Sequence, residues 1–177
     1  MNEQKIRNPM RRIRIEKLTL NIGAGTSSEA LDKAMKLLRS VAGVSPVKTF
    51  ASKRIPTWGL RPGMPIGCML TLRGGEAHEL VKRLIAARDN TLRESQFDNH
   101  GNVSFGIPEY IDIPGVNYDP EIGIKGLQVC ITLKRPGFRI KKRRIHRRNI
   151  PKRSIITREE AMAFMKEEFN ISIGEKE

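Results

Sequence analysis

Three separate stretches of this chain alternate apolar and polar side chains with a period of two, and no other feature limits its possible folds so tightly. Leu18, Leu20 and Ile22 alternate with Lys17, Thr19 and Asn21. Ile66, Cys68, Leu70 and Leu72 alternate with Gly67, Met69, Thr71 and Arg73, and Leu127, Val129, Ile131 and Leu133 with Gln128, Cys130, Thr132 and Lys134. Successive side chains of a strand point to opposite faces, so each stretch is a strand with one apolar and one polar side. Parallel sheets, covered on both faces, are built from near-continuous apolar strands. This alternation instead calls for a largely antiparallel sheet with one face buried. The expected class is α+β, a two-layer sandwich with helices on one face of a mostly antiparallel sheet and an open polar face on the other.

The remaining elements follow from local signals. Period-2 patterning with β-branched residues extends the first strand over Arg12 to Ile22, and Gly23 to Gly25 break it. Thr26 with Glu29 reads as a capping box. Leu31, Ala34, Met35, Leu38 and Val41 then recur at helical spacing up to a stop at Gly43. Pro46 to Phe50 is a short strand. Ser52 to Pro65, with three prolines and two glycines, is a long loop. The second alternating strand ends at Gly74-Gly75, and Leu80, Val81, Leu84 and Ile85 mark a second helix. Residues 89–125 are turn-rich, with short strand-like pieces at Ser104 to Ile107 and Tyr110 to Ile113. Thr157 to Phe169 is a closing helix with its own capping box, Thr157 and Glu160. With no internal repeat and no linker, residues 1–177 read as one domain carrying the loop 52–65 and a basic arm, 134–153.

Charge narrows the function. Against 33 Lys and Arg there are 19 Asp and Glu, a net +14, and the excess is concentrated. Residues 33–75 carry eight basic and no acidic side chains, residues 134–153 eleven and none, and the rest is near neutral. Two acid-free blocks point to surfaces that meet phosphates. No apolar run is long enough to span a membrane or serve as a signal peptide, and no membrane partner is expected. Cys68 and Cys130 have neither a metal nor a redox spacing and fit a reducing cytosol.

The polar sides of the strands offer Thr, Asn, Gln, Arg and Lys with almost no acid. That is either a plain solvated sheet or a platform for a nucleic-acid backbone. None of the nine aromatic residues lies on these three strands, so backbone and shape contacts are favoured over base stacking. The candidate face residues are Thr19, Asn21, Thr71, Arg73 and Thr132, joined by Arg12 and Arg14 at the start of the first strand. In the loop, Lys53, Arg54 and Arg61 accompany the only tryptophan, Trp58, which either stacks on a partner or packs the loop onto the body. The arm offers Lys141, Lys142, Arg143, Arg144, Arg147 and Arg148. It is too charged to fold by itself and is expected to order against RNA phosphates, a disordered tail or localisation signal being the alternative.

Other motifs carry less. Asn21 to Gly25 lies between a strand and a helix like a dinucleotide-binding turn, but Ser28 stands in the place of the third glycine. No acid occurs between Asp32 and Glu76 to hold a ribose. His78, His100 and His146 are scattered, and Asn102 and Asn170 head chance sequons. No catalytic set, metal or cofactor is expected. A basic DNA-binding protein and a small nucleotide-using enzyme are the rival classes.

Five motifs in order, LTLNIGAG, GVSPVKTFASKRI, LRPGMPIGCMLTLRG, FDNHGNVSFGIPEYIDIPGVNYD and GLQVCITL, resemble the L-five family of large-subunit ribosomal proteins over about Leu18 to Leu133. The basic arm and the ending ITREEAMAFMKEEF resemble its archaeal and eukaryotic branch, and Val44 stands where the bacterial motif has an amide side chain. The resemblance implies a non-enzymatic 5S rRNA-binding protein of the central protuberance of the cytoplasmic ribosome. Its implied partners are 5S rRNA, other large-subunit rRNA, P-site tRNA and neighbouring ribosomal proteins, including a bridge partner on the small subunit. By motif position it makes Asn21 and Thr71 contacts to 5S rRNA and places Lys53, Arg54 and Arg61 in a loop facing tRNA.

Overall fold

The β-strands are β1 (Arg14–Gly23), β2 (Val47–Phe50), β3 (Pro65–Leu72), β4 (Thr91–Arg93), β5 (Asn102–Ile107), β6 (Leu127–Lys134) and β7 (Ser172–Gly174). The helices are α1 (Ser28–Ala42), α2 (Gly75–Ala86) and α3 (Arg158–Phe169). This computed structural model describes residues 8–174, so the ends of the single domain read over 1–177 lie outside the described residues. Five strands form an antiparallel sheet in the order β2-β3-β1-β6-β5. The expected α+β class holds, as does the division of the sheet into two unlike faces.

One face is the core. Leu18, Leu20, Cys68, Leu70, Val103, Phe105, Val129, Ile131 and Leu133 are buried, with side chains of all three helices in the same apolar cluster. From α1 come Leu31, Ala34, Leu37, Leu38 and Val41, and from α2 come Ala77, Leu80, Val81, Leu84 and Ile85. Met35, expected in that stripe, is only half-buried, and Leu37 takes its share. Gly43 ends α1 in the left-handed conformation (φ 71°), as its position after the last apolar residue requires.

The structure departs from the sequence reading in several places. The N-cap of α1 is Ser27, whose hydroxyl accepts from the Ala30 N–H at 3.3 Å, so Thr26 lies outside the helix. The Thr157/Glu160 capping box of α3 is present. Tyr110–Asp112 is a single 3-10 turn, with the Tyr110 ring fully buried and its hydroxyl accepting from the Asp119 N–H at 2.9 Å. The surrounding excursion is anchored to α1 by Lys36, which pairs with Asp119 and Glu121, and by Lys125, which donates to the Ala30 carbonyl at 2.9 Å. β4 and β7 form a parallel pair that three-residue segments cannot announce by periodicity.

The first strand is not regular. Arg14 pairs with Lys134 and Ile15 with Leu133, but Lys17 pairs with Thr132, so Glu16 is the extra residue of a β-bulge. Unbroken alternation would put Arg14 on the same side as Leu18, Leu20 and Ile22, toward the core. The bulge instead turns Arg14 to the open face beside Lys134 and returns Ile15 to the apolar side.

Candidate nucleic-acid interface

Residues directly opposite one another in a sheet share a face, so the register lays out the open surface row by row. Val47, Met69, Asn21, Gln128 and Gly106 form one row, and Thr71, Thr19, Cys130 and Ser104 the next. Lys17, Thr132 and Asn102 form a third, beyond which lies the Arg14–Lys134 pair. No carboxylate belongs to these rows. Asn21 Nδ2 donates to Gln128 Oε1 at 3.0 Å, so two amides on neighbouring strands are fixed as one polar unit. Thr19, Asn21, Thr71 and Thr132 are all half-buried on this face, Arg14 is exposed, and Arg73 is exposed just past the end of β3. Arg12 is exposed but precedes β1, in the turn that leads into the strand.

The loop 52–65 is a hairpin extension of β2 and β3 with backbone pairing almost to its tip. Ala51 N–H donates to Met64 O at 2.8 Å, and Ile55 and Leu60 exchange both backbone bonds at 3.0 and 3.1 Å. Leu60 is buried, and a 3-10 turn over Pro56–Trp58 closes the tip. Trp58 is 68% exposed, which excludes the reading in which it packs the loop onto the body. Lys53, Arg54 and Arg61 are exposed around it. The loop is thus a projecting basic finger with an aromatic tip.

The arm lies folded against the body, where its charge density alone reads as too high for it to fold by itself. Phe138 packs against the core, 3-10 turns occupy Phe138–Lys141 and Lys152–Ser154, and Arg148 N–H donates to Ile140 O at 3.3 Å. Arg135 belongs to the core: it is 5% exposed, and its guanidinium meets Glu160 at 2.7 Å. For Glu160, burial works against ionisation, but bonds from Thr157 and Arg135 outweigh it and hold the carboxyl below its ordinary value. Lys142 pairs with Glu16, so the bulge residue holds the arm to β1. Arg143 donates through Nε to the His146 carbonyl at 2.7 Å. Lys141, Arg143, Arg144, Arg147 and Arg148 are exposed.

The folded arm walls a groove of about 830 Å³ over one end of the open face, lined among others by Lys17, Asn102, Thr132, Lys141, Lys142 and Arg147. Asp98 shapes its rim, accepting from the N–H groups of His100 (2.8 Å) and Asn102 (2.7 Å). Burial would raise the Asp98 carboxyl, but these bonds and the Asn102 amide hold it below its usual range. The finger extends from the Gly23–Gly67 end of the sheet and the arm leaves Lys134 at the other, so finger and arm flank the open face at opposite ends. The face between them runs for roughly 25 Å, the length of an eight-residue strand. Two contributors were illegible in sequence: Glu16, a lone acid in a basic stretch, and Asn102, brought to Thr132 by strand pairing.

Comparison with known proteins gives the family. A family model described as "Ribosomal protein L5" matches residues 8–61, and a second, describing the C-terminus of the same ribosomal family, matches residues 65–169. The large ribosomal subunit protein uL5 of Sulfurisphaera tokodaii is 50% identical over 176 residues, covering 99% of both chains. That of Sulfolobus acidocaldarius is 50% identical over 175 residues, covering 99% of this chain and 98% of its own. That of Nanoarchaeum equitans is 48% identical over 167 residues, covering 94% and 98%. These relatives are archaeal, in keeping with the arm and the closing helix. The chain belongs to the L5 family, the uL5 proteins of the large ribosomal subunit, and is a structural constituent of that subunit rather than an enzyme.

Proposed function

We propose that this constituent of the large subunit binds 5S rRNA with its open sheet face, in the central protuberance. The finger reaches P-site tRNA with Trp58, Lys53, Arg54 and Arg61, and the arm neutralises further large-subunit rRNA. The chain also meets neighbouring ribosomal proteins and helps bridge to the small subunit. The observation that carries this reading is the acid-free polar face bounded at both ends by basic projections. Hydroxyls and amides suit ribose and phosphate oxygens, and the flanking cations supply sequence-independent affinity.

Cys130 gives a direct test, because it sits half-buried in the middle of the open face while Cys68 is buried. Bound 5S rRNA should protect Cys130 from alkylation at moderate salt, and random duplex DNA should bind more weakly. Recovery of no 5S rRNA would sink the proposal. Binding without protection of Cys130 would move the interface off this face.

A further inference from the structure

A second cleft, of about 590 Å³, opens at the finger end of the sheet. Asn21, Ile22 and Gly23 of β1, Gly106 to Pro108 at the end of β5, Gly126 to Gln128 at the start of β6, and Arg88 line it. Arg88 follows α2, and among the described residues its guanidinium makes neither an ion pair nor a hydrogen bond; its Nε is shut off from solvent and without a partner. No acid lines the cleft. A cation held partly out of water without a counter-charge is costly unless an anion arrives.

The glycines supply an independent observation. At Gly126 a Cβ would lie 2.8 Å from the carbonyl oxygens of Ile107 and Pro108, so packing alone requires glycine there. Gly23 and Gly106 differ: neither has a positive φ, and a Cβ on either would meet nothing within 4 Å. Glycine weakens a strand, and where the fold does not need it, it marks a place where another backbone comes close.

We infer that this cleft is a ribose-phosphate site for one RNA strand as it leaves the sheet, with the phosphate on Arg88 and the sugar over Gly23 and Gly106. The Asn21–Gln128 bond leaves an amide acceptor on Asn21 and amide donors on Gln128, a set that matches the 2′-hydroxyl, which both donates and accepts. This inference rests on the reading of the open face as the 5S rRNA platform and extends it past the polar rows to Gly23 and Arg88.

The test compares wild-type chain, Gly106→Val and Arg88→Gln for 5S rRNA affinity across a salt series, with Tm recorded for each. Gly106→Val fills open space on a strand, so its Tm stays level or rises, while affinity falls about tenfold or more as the sugar is held off. Arg88→Gln lowers the slope of log K against log salt by about 0.7–0.9, the signature of one lost phosphate contact. Wild-type affinity for a folded Gly106→Val, or an unchanged slope for Arg88→Gln, overturns the site while leaving the 5S rRNA platform standing. If the wild-type chain itself binds no 5S rRNA, both fall. Should Arg88→Gln not fold, Gly106→Val alone decides.

Discussion

Thr71 and Arg135 show how little residue type says about role. Both were legible as polar or charged, yet one lies on the open face opposite Thr19 and the other is buried against Glu160. Thr71→Val keeps the shape and removes a hydroxyl, so 5S rRNA affinity should fall by about fivefold, the worth of one hydrogen bond. Its salt slope should stay as in wild type, and a flatter one would contradict the assignment. Glu160→Gln keeps a capping side chain at α3 but strands the Arg135 charge, and stability should drop by about 1–3 kcal/mol in urea titration, less than for a fully buried pair because Glu160 is partly exposed. Glu160 and Asp98 both have depressed folded-state values. The stability they contribute is therefore present above the ordinary carboxylate range of about 4 and is lost as pH falls through the depressed values. In Glu160→Gln the acid limb of Tm against pH should be shallower than in wild type.

Among the elements, β1 and the arm changed most between sequence and structure. Alternation from Leu18 to Ile22 was readable, but the bulge at Glu16 was not, because one inserted residue leaves no mark on composition. Deleting Glu16 should restore unbroken pairing, leave Arg14 on the open face opposite Lys134 and release Lys142 from β1, with a loss of Tm. An unchanged Tm would mean that the bulge is dispensable. The arm read as unable to fold, yet Phe138, Ile156 and Arg135 tie its two ends to the core. Its Arg143, Arg144, Arg147 and Arg148 are exposed. Replacing Arg143, Arg144, Arg147 and Arg148 with Gln should flatten the salt slope for 5S rRNA or a longer rRNA fragment by about 3, at 0.7–0.9 per phosphate contact. An unchanged slope on both RNAs would take the arm off RNA.

At the scale of the whole molecule, the charge of +14 is a geometry more than a quantity. A basic finger at one end and a basic arm at the other bracket an acid-free, polar sheet face, so an RNA lying along the face would meet cations at both exits. Lys48 lies with the finger's half of the sheet, and Lys17, Arg73 and Lys134 with the arm's. Thr71→Val combined with the four arm substitutions should lose affinity additively, since the sites share no partner and lie far apart. Strong coupling in a double-mutant cycle would show that arm and sheet hold the RNA as one unit.

Local chemistry was enough to establish the three alternating strands, the three helices, the buried side of the sheet and the two acid-free blocks. Each depends only on where a residue's own backbone points its side chain, or on neighbours within a turn. Tertiary structure alone decided that the finger and the arm lie at opposite ends of the face, that Arg14 turns outward, that Arg135 is buried, and that Arg88 lines one cleft with Gly23 and Gly106. Those outcomes depend on strand register and on which distant segments return to the same edge. Neither leaves a periodic trace in the chain.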